Sequence, residues 1–167
     1  QEAARELRYR FFDETLQTHS LEKIAIGQTA DDQAETVLMR FLTGGGPRGL
    51  KGIPPVRGNF VRPLIDVWRG QLLMYAQQEG ISFVEDSSNT KKTYLRNRIR
   101  HELLPALRKY NPNIKERLLR LAEILGADEG YLDELSEQEV RRMVTGEKEV
   151  SIPLSELLSL SPALQAR

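Results

Sequence analysis

Apolar residues at helical spacing predict an amphipathic helix at the start of the chain. This stripe consists of Ala3, Ala4, Leu7, Phe11 and Leu16. Next, the short apolar run from Lys23 to Gly27 predicts a buried strand. Thr29, followed three residues later by Asp32, resembles a capping box, so we expect a helix from this point to Leu42. The apolar face of that helix is predicted to consist of Ala34, Val37, Leu38 and Phe41.

Glycine and proline shape the predictions for the following residues. The segment from Thr43 to Gly58 is rich in both and predicts a mobile loop. Phe60 to Ile65 predicts an edge strand, because Pro63 has no N–H to donate to a neighbouring strand. Arg69 to Gln78 predicts a helix stopped by Gly80.

The remaining pattern divides the chain into two parts. Ile81 to Val84 predicts a further strand, whereas the pattern from about Arg98 onward is helical. We expect breaks in that helical part near Pro112, Gly126 and Gly146. The fold class is therefore predicted to be α/β over residues 1–90, followed by an all-α part over residues 91–167, with the boundary between residues 87 and 95.

Charge is distributed unevenly along the chain, although the 167 residues carry a formal net charge of zero. Residues 91–120 contain ten basic residues and two acids, Glu102 and Glu116. A basic block this dense predicts a surface for a polyanion such as nucleic acid. The basic residues are Lys91, Lys92, Arg96, Arg98, Arg100, Arg108, Lys109, Lys115, Arg117 and Arg120.

Cysteine content and hydropathy exclude several classes of protein. The chain has no cysteine, which excludes a disulfide framework, a thiolate zinc site and a cysteine nucleophile within these residues. No apolar run is long enough to predict a membrane span. We therefore expect a cytoplasmic protein without a membrane partner.

Both ends of the sequence suggest an excised piece of a longer protein. The chain begins without methionine and enters the first helical stripe with no capping residue before it. Ser161 and Pro162 are typical of a helix start, yet the chain ends at Arg167. Function is therefore expected to belong to a longer parent.

Asp31 and Asp32 are the first candidate site residues. Ligands of open parallel α/β sheets bind at the carboxyl ends of strands, and these carboxylates follow a predicted strand and open a helix. The alternative is an ordinary helix cap that also interacts favourably with the helix dipole. Neighbouring side chains point in different directions, so we expect only one of the two to cap the helix.

A glycine-rich segment, Thr43 to Gly52, invites comparison with a phosphate-binding loop. A Walker loop requires Gly-Lys followed by Ser or Thr, whereas Lys51 follows Leu50 and precedes Gly52. We reject that assignment. A flexible basic loop that orders over RNA or nucleotide and a plain surface connection remain as alternatives.

The third candidate is the segment from Glu85 to Pro105, where carboxylates precede clustered arginines. Guanidinium groups bind phosphates and carboxylates, so such a segment is suited to holding an ammonium group and a phosphate group near each other. Helical spacing places Arg96 and Arg100 on one face, and Asn97 with His101 on one face. The alternative is a solvated basic helix start.

Four motifs, in this order along the chain, resemble those of the tRNA(Ile)-lysidine synthetase family. Glu2 to Tyr9 is similar to the family's Ala-Arg-x-x-Arg-Tyr helix, and Ala30 to Thr36 resembles its Ala-Asp-Asp-Gln-x-Glu-Thr motif. Arg62-Pro63-Leu64 leads into a helix as it does in the family. Glu-Asp-x-x-Asn at Glu85 to Asn89, then Arg-Asn-x-x-Arg at Arg96 to Arg100, resembles the signature that follows the family's catalytic domain.

The resemblance implies the C-terminal part of a PP-loop ATP pyrophosphatase domain with a parallel sheet, followed by a truncated helical tRNA-binding domain. Family members use ATP and Mg²⁺ to adenylate the C2 carbonyl oxygen of the wobble cytidine, position 34, in tRNA(Ile) with a CAU anticodon. Free lysine then displaces AMP through its side-chain amine and forms lysidine. The family's pyrophosphate loop, Ser-Gly-Gly-x-Asp-Ser, does not occur in these 167 residues. We expect it upstream of Gln1, expect this chain alone to be inactive, and regard a homodimer as one expectation for the parent.

The same resemblance implies roles for individual residues. Asp32, and with it Asp31, would face the nucleotide, with Asp32 a candidate Mg²⁺ ligand. Asp86 or Glu85 would contact the lysine ammonium or orient the reacting amine. Phosphates of tRNA, or the charge that develops as AMP departs, would be held by basic residues. These are Arg96, Arg98 and Arg100, and also Arg5 and Arg8, with Asn89 and Asn97 as further substrate-binding residues.

One departure from the family and two alternative functions bear on these expectations. The family often has histidine at the position of Gln28, and glutamine cannot gain a proton near neutral pH, so an acid-base role there is in doubt. A related PP-loop enzyme that thiolates tRNA cytidine would share Asp31 and Asp32, but those enzymes use cysteines. A non-catalytic protein is the other alternative, with residues 91–167 as a helical RNA-binding module.

Overall fold

The computed structural model describes residues 2–84, 94–144 and 151–166, with side chains from Glu6 onward in the first helix. Glu85, Asp86 and Asn89, the side chain of Arg5 and the predicted break at Gly146 lie outside this part. The described helices are α1 (Glu2–Thr18), α2 (Ala30–Leu42), α3 (Pro47–Leu50), α4 (Arg69–Gln78), α5 (Leu95–Arg98), a π-helical turn (Ile99–Leu103), α6 (Leu104–Tyr110), α7 (Ile114–Met143), α8 (Leu154–Ser159) and α9 (Pro162–Gln165).

Three short strands form a mixed sheet, where the sequence predicts a parallel one. They are β1 (Ile24–Ala25), β2 (Val56–Arg57) and β3 (Phe60–Val61), in the order β1-β3-β2. β1 runs parallel to β3, and β2 runs antiparallel to it. The prediction of an edge strand at residues 60–65 is wrong, because β3 lies in the middle of the described sheet. It ends before Pro63, so the missing proline N–H interrupts no pairing.

Helix α1 packs on the sheet through aromatic rings. The ring of Tyr9 lies 5.0 Å from that of Phe60, nearly perpendicular to it, and the ring of Phe12 lies 6.0 Å from Phe60. Leu16 is buried, whereas Leu7 and Phe11 are mostly exposed. The predicted helix is confirmed, but only part of its stripe is covered by the described residues.

Helix α2 begins and ends at the predicted residues. Its start is fixed because the Asp32 carboxylate accepts hydrogen bonds from the capping residue Thr29. The backbone N–H of Thr29 donates to Asp32 Oδ2 at 2.9 Å, and the Thr29 hydroxyl donates to the same oxygen at 3.1 Å. Ala34, Val37 and Leu38 are buried as predicted. Phe41 is 67% exposed, so its assignment to the apolar face is wrong.

The main core joins α2 to the helices that follow residue 94. Its buried members are Ala34, Val37, Leu38, Ile99, Leu104, Leu118 and Ala122. Burying such side chains contributes roughly 1.5 to 3 kcal/mol for each large aliphatic residue, so α2 is held mainly by the later helices. The core thus spans the region on both sides of the predicted domain boundary, and the division at residues 90 and 91 stays a prediction.

The helical part differs from its predicted outline at one glycine. A turn at residues 111–113 separates α6 from α7, as the sequence near Pro112 predicts. The predicted break at Gly126 is wrong, because α7 continues through it to Met143. Glycine in a helix interior costs about 1 kcal/mol, which packing of α7 on α2 and α3 outweighs. The described helices include none with both the length and the apolar character needed to cross a membrane.

Two predictions about the connecting segments need correction. The segment from Thr43 to Gly58 contains α3 and β2 rather than a plain loop. Arg40 holds it by donating from Nη1 to the carbonyl oxygens of Gly49 and Gly52, each at 2.6 Å.

Helix α4 has the predicted bounds, and Gly80 follows it with a φ of +64°. Residues 81–84 do not form the predicted strand.

Candidate active site

A cleft with a volume of about 380 Å³ opens where the chain leaves β1 and enters α2. Its position beyond the carboxyl end of β1 is the one expected for a ligand site in an α/β sheet. The walls come from four regions of the chain, since α4, α6 and α7 also contribute side chains. The lining residues are Gly27, Thr29, Asp31, Asp32, Glu35, Arg69, Arg100, Leu104 and Lys115.

Asp31 connects the first turns of three helices at this cleft. Its Oδ2 accepts a hydrogen bond of 2.8 Å from the backbone N–H of Arg69, in the first turn of α4. Its Oδ1 forms an ion pair with the ammonium group of Lys115, in the first turn of α7. Burial by itself raises the pKa of Asp31, but the bonds from Lys115 and Arg69 and the nearby positive charges outweigh it. The pKa therefore lies below its ordinary value, and Asp31 stays ionised.

Asp32 lines the same cleft but has different partners, which include two arginines. Its Oδ2 caps α2 through Thr29, while its Oδ1 accepts a 2.9 Å bond from Arg96 Nη2. Arg100 Nη2 approaches the same oxygen to 3.7 Å. The expectation that only one of the two aspartates caps α2 is confirmed, because Asp31 instead accepts the N–H of Arg69 at the start of α4.

Glu35 lies at the centre of the site and is absent from the residues selected from sequence. Its side chain is 2% exposed, and it accepts bonds from Arg96 Nε at 2.8 Å and Arg100 Nε at 2.6 Å. Arg100 Nη2 donates a further bond of 2.9 Å. The hydrogen bonds to Glu35 raise the pKa of Arg100 although burial opposes them, and the charges of Glu35, Asp32 and Asp31 add to the rise. Two adjacent bonds of this kind fix the plane of the guanidinium group.

Arg96 and Arg100 share a helical face, as predicted, and both bind α2. Arg98, on the other face, is 64% exposed and lies 3.8 Å from Glu102. Arg8 is exposed on α1, away from the lining of the cleft. Asn97 is half-buried in α5, and His101 is exposed in the π-helical turn. The structure thus brings Asp31, Asp32, Arg96 and Arg100 together and leaves Arg98 and Arg8 outside this cluster.

Two further residues of the region were not selected from the sequence. Lys115 binds Asp31, and its ammonium lies 5.8 Å from the centre of the Trp68 ring. Arg62 is 4% exposed and donates from Nε to Gln28 Oε1 at 2.5 Å and from Nη1 to the carbonyl oxygen of Pro54 at 2.8 Å. The dense basic block was a signal for Lys115. For Arg62, the signal was its place in one of the four motifs.

The described residues do not form a magnesium site by themselves. They contain no group of three or more Asp, Glu or His side chains placed to hold a metal ion. Asp32, the predicted ligand, already accepts bonds at both oxygens, from Thr29 and from Arg96. Arg69, Arg100 and Lys115 line the same cleft, and their positive charges suit a phosphate group better than a bare cation. Coordination by Asp32 stays a prediction, and no role for a metal follows from these residues.

A sequence profile of the PP-loop domain matches residues 1–107. The chain belongs to the PP-loop domain family. The family consists of ATP-using enzymes, and the matched residues include β1, α2 and the arginines that bind Glu35. A PP-loop domain with a small mixed sheet and a mostly helical remainder is the fold seen here. The fold expectation is confirmed to that extent.

Proteins named tRNA(Ile)-lysidine synthase are similar to this PP-loop chain over most or all of its length. The one from Bacillus subtilis (strain 168) is 36% identical over 100% of the chain and 37% of its own length. The one from Geobacter sulfurreducens is 44% identical over 86% of the chain and 31% of its own length. The one from Geobacillus kaustophilus is 38% identical over 100% of the chain and 37% of its own length. The chain therefore spans about a third of the length of these relatives, and the expected family resemblance is confirmed.

Proposed function

We propose that the protein carrying this chain ligates lysine to C2 of the wobble cytidine of tRNA(Ile) and forms lysidine. The observation that carries the proposal is the cleft beside β1, where Asp31, Asp32 and Glu35 hold Arg100 and Lys115 in place. The relatives' printed name and their coverage of the chain support it. The absence of cysteine from this chain and the names of its relatives both disfavour a tRNA thiolase. A non-catalytic RNA-binding module would leave the cleft without a role.

The proposed reaction has two steps. The C2 carbonyl oxygen of the cytidine attacks the α-phosphate of ATP, and the bond to pyrophosphate breaks. The side-chain amine of lysine, in its neutral form, then attacks C2, AMP departs with the electron pair of the C–O bond, and the amine loses its proton. Adenylation is needed because it converts a poor leaving oxygen into a good one.

The contacts of the cleft suggest what its residues contribute. Glu35 fixes the guanidinium of Arg100, which is thereby preorganised to stabilise negative charge on a phosphate. Lys115 adds a second cation from α7, held by Asp31. We assign the lysine ammonium to Asp86 or Glu85, which follow the described residues 81–84.

The proposed function also includes a tRNA-binding domain and a phosphate-binding loop that lie outside the cleft. Residues 91–167 are proposed to belong to a helical tRNA-binding domain, and the active parent is proposed to supply the Ser-Gly-Gly-x-Asp-Ser loop. The predictions of a cytoplasmic location and of a homodimer stay predictions.

Incubation of the longer protein with ATP, radiolabelled lysine and a tRNA(Ile) transcript with a CAU anticodon tests the reaction. We expect one lysine in the tRNA for each AMP released, and none in a transcript with uridine at position 34. An Arg100→Ala variant should lose about 10²-fold or more in rate, because it removes a preorganised charge. Arg141→Ala, at an exposed pair with Glu137 on α7, is the matched control. Sulfur incorporation, or tRNA binding without turnover, would overturn the proposal.

A further inference from the structure

The basic block of residues 91–120 has eight basic residues in the described part of the chain, which excludes Lys91 and Lys92, and these eight separate into two groups according to what their side chains bind. Arg96, Arg100 and Lys115 point inward to the carboxylates of the cleft. Arg98 lies 3.8 Å from Glu102 in the π-helical turn that follows α5, and Arg120 lies 3.0 Å from Glu123 within α7. These five cations are therefore paired with protein carboxylates, which leaves them less available to the phosphates of an RNA backbone outside the cleft.

The second group lies at the corner where α6 ends and α7 begins. Arg108 and Lys109 are in the last turn of α6, and Arg117 is in the first turn of α7. All three are exposed, and no carboxylate among the described residues lies within ion-pair distance of them. Only one acid, Glu116, occurs between residues 103 and 122. The corner therefore carries a net positive charge that the described protein does not neutralise.

The same corner exposes an aromatic side chain. Tyr110, the last residue of α6, is 89% exposed, although an aromatic ring gains much from burial. A tight turn connects it to α7, since Asn113 donates its backbone N–H to Asn111 Oδ1 at 3.0 Å. Arg108 and Lys109 also interact favourably with the carboxyl end of α6, but this explanation accounts for neither Tyr110 nor Arg117.

The corner adjoins the cleft along the chain on both sides. Leu104, at the start of α6, and Lys115, in the first turn of α7, both line the cleft. The chain therefore leads from the lining of the cleft to the corner on both sides. Phosphates that repeat along a backbone and bases that stack on exposed rings are the features of single-stranded RNA.

We propose that the corner of α6 and α7 is a docking surface for single-stranded RNA next to the nucleotide acted on in the cleft. Arg108, Lys109 and Arg117 contact backbone phosphates, and Tyr110 stacks on an unpaired base. The assignment rests on the proposed function, because the RNA is the tRNA whose base enters the cleft. The sequence predicts the whole basic block as a polyanion surface, and the family resemblance implies phosphate contacts by Arg96, Arg98, Arg100, Arg5 and Arg8. The proposal instead assigns the RNA backbone to Arg108, Lys109 and Arg117.

Salt-dependent binding of the tRNA(Ile) transcript to the longer protein tests the phosphate contacts. The variant Arg108→Gln/Lys109→Gln should lower the slope of log K against log salt by about 0.7 to 0.9 for each phosphate that it no longer neutralises. Arg117→Gln should lower it by one such increment. The control Arg141→Gln/Arg142→Gln removes the same charge from exposed pairs farther along α7 and should leave the slope unchanged.

Tyr110 gives a second, independent readout. Tyr110→Ala should raise the dissociation constant about 5-fold to 150-fold with an unchanged salt slope, whereas Tyr110→Phe should retain binding. With saturating tRNA, lysine incorporation by the control Arg141→Gln/Arg142→Gln should equal that of the wild type. Unchanged dissociation constants and slopes in the corner variants, with a wild type that ligates lysine, overturn the docking surface alone. A wild type that binds tRNA through the corner but incorporates no lysine overturns the proposed function alone.

Discussion

Glu35 and Arg100 are joined by two hydrogen bonds, Nε to Oε1 at 2.6 Å and Nη2 to Oε2 at 2.9 Å. The pair connects the middle of α2 to the π-helical turn, 65 residues apart along the chain. Arg96 binds the second oxygen of the same carboxylate at 2.8 Å. Within the described residues, the buried charge of Glu35 is thus compensated by two arginines from a distant part of the chain.

Removing both arginines should destabilise the fold strongly. Arg96→Ala/Arg100→Ala leaves a carboxylate that is 2% exposed without its cationic partners, which costs about 3 to 5 kcal/mol in the free energy of unfolding. Each single variant should cost less than half of that, because the other arginine still binds Glu35. Urea unfolding monitored by circular dichroism measures all three. Arg141→Ala/Arg142→Ala, at exposed pairs, should cost about 1 kcal/mol or less. Equal destabilisation of the two double variants would contradict the role of Glu35.

The sequence predicts the local features of this fold well and its long-range ones poorly. Helices α2 and α4 have their predicted bounds, because capping by Thr29 and Asp32 and the stop at Gly80 depend on neighbouring residues. By contrast, the position of β3 in the sheet depends on β1, a partner distant in the chain. Phe41 illustrates the same limit, since helical spacing marks a face but cannot show how far the packing of other helices extends over it.

The residues of the candidate site also divide into those that local sequence indicates and those that only long-range packing shows. Asp31 and Asp32 stand out because they follow a strand and open a helix. Glu35 reads as an ordinary polar residue of α2 until Arg96 and Arg100 are placed against it, and those pairings span 61 and 65 residues. Lys115 reaches Asp31 across 84 residues. Charge density identified the basic block, but only packing shows which of its members face inward.

Acid should weaken the fold through Asp31. Its pKa is lower in the folded chain than in the unfolded chain, so its contribution to stability is complete above the unfolded value of about 3.9. That contribution disappears as the pH falls through the lower, folded pKa. Asp31→Asn should therefore be less stable than the wild type at about pH 7, and the difference should be smaller at about pH 3, below the unfolded value. Urea unfolding at both pH values, with the exposed Asp128→Asn as control, measures this. A pH-independent difference would show that ionisation of Asp31 does not contribute.

Adding a side chain at Gly52 is expected to lower the free energy of unfolding. Its φ is +75°, and an added Cβ would lie 2.5 Å from Gln33 Oε1. Gln33 binds both the N–H and the carbonyl oxygen of Ile53, at 2.6 and 3.1 Å. Gly52→Ala should cost about 1 to 2 kcal/mol for the backbone and about 1 kcal/mol for each disturbed hydrogen bond.

Gly44 provides the matched control for that substitution. Its φ of +78° imposes the same backbone cost, but nothing lies within 4 Å of an added Cβ. Gly44→Ala should therefore cost only about 1 to 2 kcal/mol in thermal unfolding. If both variants were destabilised equally, the two hydrogen bonds between Gln33 and Ile53 would contribute nothing measurable to the free energy of unfolding.

Asp86→Ala tests the carboxylate assigned to lysine. If Asp86 contacts the ammonium group or orients the amine, the variant of the longer protein should ligate lysine about 10²-fold more slowly. ATP-dependent adenylation of the tRNA should continue, because that step precedes lysine. Release of pyrophosphate and incorporation of lysine, measured separately, distinguish the steps. Asp128→Ala, exposed on α7, is the control. Lysine incorporation at the normal rate would remove Asp86 from the site.

ATP should bind weakly to residues 1–167 by themselves. The cleft supplies Arg100 and Lys115, but Lys115 is already paired with Asp31, and the chain contains no Ser-Gly-Gly-x-Asp-Ser loop to surround a pyrophosphate with backbone N–H groups. Isothermal titration calorimetry of this chain should show no saturation at micromolar ATP, whereas the longer protein that contains the loop should saturate there. Arg141→Ala in the chain, at an exposed pair on α7, should leave the weak binding unchanged. Micromolar affinity in the chain alone would mean that the described cleft binds the nucleotide without the loop.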